Sequence, residues 1–331
     1  MNRAPESARR AEIPIVDLIS LETGREEHFR NIGDSVRAAA ADVGFFYVKN
    51  HGVPDTVIER AASIGRSFFN HPPELKRQVA VNSRHRGFVP VGGANVAQGR
   101  TFDLKETFSW GLELPEDDPD VAAGNPLMGP NNWPSFLPEL RPALYDYFEA
   151  SFVCGQRLLR AIAVSLGIDP AFFSVRYRKP FARGQVVHYP PQPPEMGAEQ
   201  FGIGQHTDFG CVTLLWQDGN GGLQVLNRRN EWIAATPIDG TLVINIGDLL
   251  ERWSNDRFKS TLHRVVNSSG RDRISLTVFY DPDYSTTVDP RDMGLGAGET
   301  ARYEPVGAGD HIRARFDKTF VYRHREKAEA R

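Results

Sequence analysis

Apolar residues recur at helical spacing through Phe29, Ile32, Val36, Ala40 and Val43, which share one face of a helix that Gly44 stops. Directly afterwards, Phe45-Phe46-Tyr47-Val48 is the unbroken apolar run of a buried strand. A second helix is expected after Pro54. It turns Val57, Ile58, Ala61, Ile64 and Phe68 inward and ends before Pro72-Pro73, where the missing N–H and the ring would break it. A third, longer helix carries Leu140, Leu144, Phe148, Phe152, Leu159, Ile162 and Leu166, and Gly167 closes it.

From Gly184 the pattern changes to short β-rich runs at 185–189, 211–216, 223–226, 232–235, 241–246, 262–267 and 273–280. Runs of this length and spacing, with tight corners at Asp218-Gly219-Asn220-Gly221-Gly222 and Asp239-Gly240, predict an all-β sandwich or jelly-roll barrel. Between the second and third helices, residues 82–134 read as irregular and rich in Gly, Pro and Asp. The aromatic residues Phe88, Phe102, Phe108 and Trp110 imply that this stretch packs on something, either as a lid over a pocket or as a plain surface cover.

A chain of 331 residues is long for an average domain, yet a β barrel with added helices reaches this size around one core, so one large domain is expected. The formal net charge is -3 with both signs scattered, which supplies no basic stripe for nucleic acid or an acidic membrane. No apolar run has membrane-spanning length, and residues 1–12 do not read as a secretory signal. Cys154 and Cys211 lie far apart, outside disulfide-framework or zinc-knuckle spacing, which fits a reducing, cytoplasmic setting. Asn267-Ser268-Ser269 matches a glycosylation pattern but is expected to be an ordinary turn, and the charged end after Tyr322 a solvated tail.

The candidate chemistry lies in His206-Thr207-Asp208. Residues two apart on an extended chain point to the same side, so His206 and Asp208 can reach one metal while Thr207 faces away. His263, in a later β run, is the candidate third ligand. Two imidazoles and one carboxylate would leave open positions on an octahedral ion, the facial arrangement of non-haem iron oxygenases. Arg273 and Ser275 follow on one side of a predicted strand. An arginine aimed into a barrel must be paired, and a ligand carboxylate held in bidentate fashion would do this, with the serine hydroxyl adding a bond. Phe88, Phe108 and Phe279 are candidates for the wall of a substrate pocket.

These pieces resemble the iron(II) and 2-oxoglutarate dependent oxygenases of the isopenicillin N synthase-like, plant-type group. The similarity runs from Ile13-Pro14-Ile15-Val16-Asp17-Leu18 and Gly44-Phe45-Phe46-Tyr47-Val48-Lys49-Asn50-His51-Gly52 into the β-rich half. There it rests on His206-Thr207-Asp208-Phe209-Gly210, Gly221-Gly222-Leu223-Gln224-Val225, Asn245-Ile246-Gly247-Asp248, Ser260-Thr261-Leu262-His263-Arg264-Val265 and Arg273-Ile274-Ser275.

The resemblance implies a mainly β fold with N-terminal helices: a double-stranded β-helix (jelly-roll) core flanked by α-helices. Residues 1–135 would be a helical and irregular region packed on the core, 136–325 the long helix and jelly roll, and 326–331 a charged tail. It further implies Fe(II) on His206, Asp208 and His263, with the distal carboxylate of 2-oxoglutarate on Arg273 and Ser275 and a contact from Tyr189. The chain departs from the family pattern at Val187, where an asparagine is frequent, and lacks a cysteine common in the Pro-rich segment after Tyr189.

The implied reaction uses O2 to oxidise a small molecule by hydroxylation, desaturation or cyclisation, with succinate and CO2 as coproducts. Two relatives with the same motifs remain open at this point: an oxidase like isopenicillin N synthase that uses no 2-oxoglutarate, and an ethylene-forming enzyme that fragments it. From other classes, a zinc hydrolase would need a general base that the sequence does not show, and a non-catalytic binding protein would have no use for an intact triad. No Gly-x-Gly-x-x-Gly follows a strand and no phosphate loop occurs, so nucleotide cofactors are not expected.

Overall fold

The computed structural model describes residues 13–93, 102–192 and 200–320. Strands β1 (Ile15–Asp17), β2 (Phe45–Lys49), β3 (Gly87–Val89), β4 (Glu106–Gly111) and β5 (Arg183–Tyr189) precede the metal-ligand segment. They are followed by β6 (Ile203–His206), β7 (Val212–Gln217), β8 (Leu223–Leu226), β9 (Trp232–Ala234), β10 (Thr241–Ile246), β11 (His263–Val265) and β12 (Arg273–Tyr280). An eight-stranded sheet runs β1-β2-β10-β7-β12-β5-β4-β3, and a four-stranded sheet runs β6-β11-β8-β9. The two sheets are the jelly roll that the strand spacing predicts.

Helices α1 (Glu26–Asp42), α2 (Asp55–Phe69) and α3 (Leu140–Leu166) form where apolar periodicity places them. Their buried faces, including Val36, Phe68, Leu144 and Phe148, join one side of the large sheet in the main core. Strand alternation then divides β12 cleanly. Ile274, Leu276 and Val278 go to the helix side, while Arg273, Ser275, Thr277 and Phe279 line the space between the sheets. A second cluster that includes Phe45, Tyr47, Val187, Tyr189, Leu223 and Val265 fills part of that space.

Three features differ from the expectation. Residues 82–134 are not simply irregular: β3 and β4 pair and extend the large sheet beyond β5, so residues on both sides of position 135 share one sheet. β6, with the sequence Ile203-Gly204-Gln205-His206, is too short and polar to announce itself but carries the first metal-ligand candidate. Finally, α4 (Asp248–Trp253) and α5 (Ala308–Thr319) were not marked by periodicity, α5 because only Ile312 and Phe316 supply bulky buried side chains.

Asn267 is buried, and its amide donates to the carbonyls of Tyr189, Pro190 and Arg271, which makes it the structural turn the sequence reading expected. The tail after Tyr322 lies outside the described residues. No helix among the described residues is long and apolar enough to cross a membrane.

Candidate active site

His206 ends β6 and His263 begins β11, and the two are directly paired across the small sheet. Their ring centroids are 4.2 Å apart. Asp208, just past the end of β6, completes a group whose ligand atoms all lie within 4.8 Å of one another. His206 Nε2 is 3.8 Å and His263 Nε2 is 3.6 Å from Asp208 Oδ1.

Each imidazole is oriented from behind. His206 Nδ1 donates to the Gly204 carbonyl at 2.8 Å and His263 Nδ1 to the Thr261 carbonyl at 3.1 Å. A carbonyl can only accept, so the proton of the neutral ring sits on Nδ1 and the Nε2 lone pair is turned to the shared centre. Phe45 braces the His263 ring edge-on, with centroids 5.1 Å apart. Asp208 is divided by function in the same way: Oδ2 accepts from Thr213 Oγ1 at 2.5 Å and Asn245 Nδ2 at 2.7 Å, leaving Oδ1 facing the imidazoles.

Electrostatics agree with this donor set. Burial, reinforced by the neighbouring His263, drives His206 well below the usual histidine range and so keeps it neutral. Burial opposes ionisation of Asp208, but His263, His206 and the Asn245 and Thr213 donors outweigh it and hold the carboxyl below its ordinary value. A neutral His206 and an ionised Asp208 are the protonation states that a divalent ion requires of them.

Gly210 is needed here for space, because a Cβ on it would meet Asp281 Oδ1 at 1.9 Å. That carboxylate oxygen accepts the Cys211 N–H at 2.7 Å and so anchors the chain just after the Asp208 turn.

Deeper between the sheets, Arg273 is buried opposite Tyr189 in register. Its Nε donates to the Gly221 carbonyl at 2.6 Å and Nη2 to Gln217 Oε1 at 3.1 Å, while Nη1 has no hydrogen-bond partner. Gly222, at φ +97°, turns the corner that brings the Gly221 carbonyl to the guanidinium, and a Cβ there would meet the Val266 carbonyl oxygen at 2.5 Å. The Arg273 guanidinium lies 4.6 Å from the Tyr189 ring centre. Ser275, also buried, follows on the same side of β12. Burial, countered by Arg273 and Ser275, raises the Tyr189 hydroxyl above its usual value and keeps it protonated.

An orphaned, buried donor beside a serine and a tyrosine fits the carboxylate of a small acid, and the triad fits a divalent ion. Both open onto one cavity, with Arg273, Ser275 and Tyr189 in its wall together with His206, Asp208 and His263.

The sequence-predicted aromatics divide. Phe279 lines this cavity, with Arg183 stacked 4.7 Å from its ring centre. Phe88 and Phe108 do not. They are cross-strand partners on β3 and β4, and both pack on Phe68 of α2 in the main core, on the far side of the large sheet. Strand parity decides this, because Thr107 and Ser109 take the opposite side from Phe108.

The residues that replace them in the wall include Lys105, Arg183 and Gln185, with Phe316 and Phe320 from the end of α5. Two signals in the sequence mark part of this set. Arg183 and Gln185 share the parity of Val187 and Tyr189, and Phe316 follows Ile312 by one helical turn.

The family model for the 2OG-Fe(II) oxygenase superfamily matches residues 174–282, and the model of the N-terminal domain of the non-haem dioxygenase in morphine synthesis matches residues 13–136. The 2-oxoglutarate-Fe(II) type oxidoreductase ppzC of Metarhizium rileyi is 32% identical, over 94% of this chain and 88% of its own. The chain belongs to the 2OG-Fe(II) oxygenase superfamily.

Two solved structures show the same fold around the cofactors. A full-length Neurospora crassa protein crystallised in complex with alpha-KG superposes on this oxygenase with a TM-score of 0.82, at 30% identity, over 92% of this chain and 96% of that one. JOX2 in complex with 2OG, Fe and JA gives a TM-score of 0.76 at 28% identity, over 91% of this chain and 84% of that one. This oxygenase is therefore an oxidoreductase of Fe(II) and 2-oxoglutarate, and the zinc hydrolase and the non-catalytic binder are set aside.

Proposed function

We propose that this oxygenase couples conversion of 2-oxoglutarate to succinate and CO2 with the oxidation of a small organic molecule by O2, through hydroxylation, desaturation or ring closure. The observation that carries this is the unpartnered Arg273 Nη1 on the same cavity as the His206, Asp208 and His263 donors. In this reading the triad holds the ferrous ion, Arg273 and Ser275 hold the distal carboxylate of 2-oxoglutarate, and Tyr189 supports the guanidinium from its ring face. Val187, in place of the frequent asparagine, offers the cosubstrate an apolar wall.

Iron(II) bound there supplies the capacity to activate oxygen. The chain supplies the rest: a carboxylate fixed by Thr213 and Asn245, imidazoles fixed by backbone carbonyls, and a wall of Phe279, Phe316 and Phe320 that restricts water.

The test is anaerobic reconstitution with Fe(II), followed by aeration with 2-oxoglutarate and panels of small acids, amides and heterocycles, while succinate, CO2 and ethylene are quantified. Succinate formed in step with an oxidised product is the expected result. Ethylene from 2-oxoglutarate alone would move the assignment to the fragmenting variant. Substrate oxidation without succinate would move it to the oxidase.

A further inference from the structure

Around the part of the cavity beyond the Arg273 subsite, Lys105 and Arg183 line the space while the carboxylates nearest them, Asp103 and Asp281, lie buried behind the lining. Lys105 immediately precedes β4, on the same side of the strand as Thr107 and beside Tyr189 in the register of β4 and β5. Its side chain is 12% exposed and lines the cavity, with Nζ 3.6 Å from Asp103 Oδ2, outside hydrogen-bond reach. Asp103 Oδ1 meanwhile accepts the Gly204 N–H at 3.0 Å, which fixes that carboxylate against β6.

Lys105 shares the lining of one cavity with His206 and Asp208; burial pushes its ammonium below the usual range while Asp103 resists. An ammonium this buried, with its carboxylate partner 3.6 Å away, keeps N–H donors that a ligand oxygen would satisfy.

Arg183, farther along β5, is tied to Asp281 with Nη2 3.2 Å from Oδ2, and its guanidinium lies 4.7 Å from the ring centres of both Phe279 and Phe316. Asp281 Oδ1 accepts the Cys211 N–H, and this carboxylate is fully buried behind Arg183, outside the lining of the cavity. The surroundings of the open space are thus aromatic and donor-rich, and a cationic ligand would meet the Lys105 and Arg183 heads ahead of the carboxylates behind them.

We propose that the primary substrate is a small planar molecule that presents a carboxylate or carbonyl oxygen to Lys105 and packs its flat part on Phe279, Phe316 and Phe320, so that Lys105 selects against cationic substrates. The proposal rests on the oxygenase reading above, in which Arg273 is occupied by 2-oxoglutarate.

Benzoate, benzamide and benzamidine share one ring and differ in head-group charge and in whether an oxygen acceptor is present, so they test this directly. Binding of each to the enzyme loaded anaerobically with Fe(II) and 2-oxoglutarate is measured by calorimetry and by saturation-transfer NMR. Benzoate and benzamide are expected to bind, and benzamidine roughly ten-fold or more weakly. Lys105→Met should weaken benzoate by about 10- to 100-fold and erase its advantage over benzamidine, whereas Lys105→Arg should keep the preference. Affinity for 2-oxoglutarate should stay the same in both variants.

Equal or tighter binding of benzamidine, or no binding of any of the three probes, would overturn the proposal. So would a Lys105→Met variant that loses 2-oxoglutarate rather than benzoate. Failure of the unaltered enzyme to bind 2-oxoglutarate would instead sink the cosubstrate assignment itself.

Discussion

Thr213 Oγ1 stands 2.5 Å from Asp208 Oδ2, on the carboxylate oxygen that the imidazoles do not face. With Asn245 Nδ2 on the same oxygen at 2.7 Å, it holds Oδ1 toward His206 and His263 before any ion arrives. Supports of this kind tune metal affinity by about 10- to 100-fold. The pair Thr213→Val and Asn245→Leu should therefore weaken Fe(II) or Zn(II) binding by about that factor, measured by chelator competition, with circular dichroism checking that the fold survives. An unchanged affinity would mean that Asp208 is held by its backbone alone.

Arg273 makes the second prediction. Nε is spent on Gly221 and one N–H of Nη2 on Gln217, which leaves both N–H groups of Nη1 and the second of Nη2 for a ligand. Replacing the guanidinium by an apolar chain removes one member of a buried charge pair, which costs on the order of 2–5 kcal/mol in binding. Arg273→Leu should raise the dissociation constant for 2-oxoglutarate at least about 30-fold while metal affinity holds. Loss of metal instead of the acid would show that Arg273 serves the fold and not the cosubstrate.

The sequence made the helices legible because α1, α2 and α3 each bury one continuous apolar face, and the triad legible because extended geometry puts His206 and Asp208 on one side. It did not reveal that His263 lies directly across from His206, since pairing of β6 with β11 is set by the barrel and not by either strand's own residues. The cavity wall was obscured by the same chemistry that makes it a binding site. Along β5 the inward positions Arg183 and Gln185 are polar, and a polar alternate on a strand reads as solvent-facing. Phe88 and Phe108 misled in the opposite sense, because aromatic character cannot tell a pocket from a core and their parity turns them toward α2.

At the cavity end of α5, Arg315 bridges two parts of the site. Its Nη2 lies 2.7 Å from Asp248 Oδ2 and donates to Thr207 Oγ1 at 3.4 Å, and its guanidinium lies 4.8 Å from the Phe209 ring centre. Thr207 sits between two members of the triad, so this one side chain couples the helix that carries Phe316 to the metal-ligand turn. Arg315→Ala should speed amide exchange across 308–319 by roughly 5- to 10-fold, as loss of about 1 kcal/mol of local stability would, and leave exchange in α3 unchanged. Exchange at the same rate in both proteins would show that apolar packing alone seats the helix.

His51 gives a pH dependence of stability with a definite sign. It is buried where the chain leaves β2, and its Nδ1 accepts the Val53 N–H at 3.1 Å, a bond that only an unprotonated Nδ1 can make. Burial lowers its pKa from the ordinary 6.5, with Asp55 opposing the shift. In the unfolded chain the same ring takes up a proton near 6.5, so between that value and the depressed folded one the unfolded state binds more protons and stability rises with pH. The contribution is complete above the unfolded pKa and is lost as pH falls toward the folded one. His311 is depressed in the same direction, again by burial, and adds to the slope. His51→Asn keeps an acceptor for Val53 N–H but cannot titrate, so thermal unfolding of this variant should lose less stability than the parent between about pH 7.5 and 5. Parallel curves for the two proteins across that range would place the acid sensitivity in other groups.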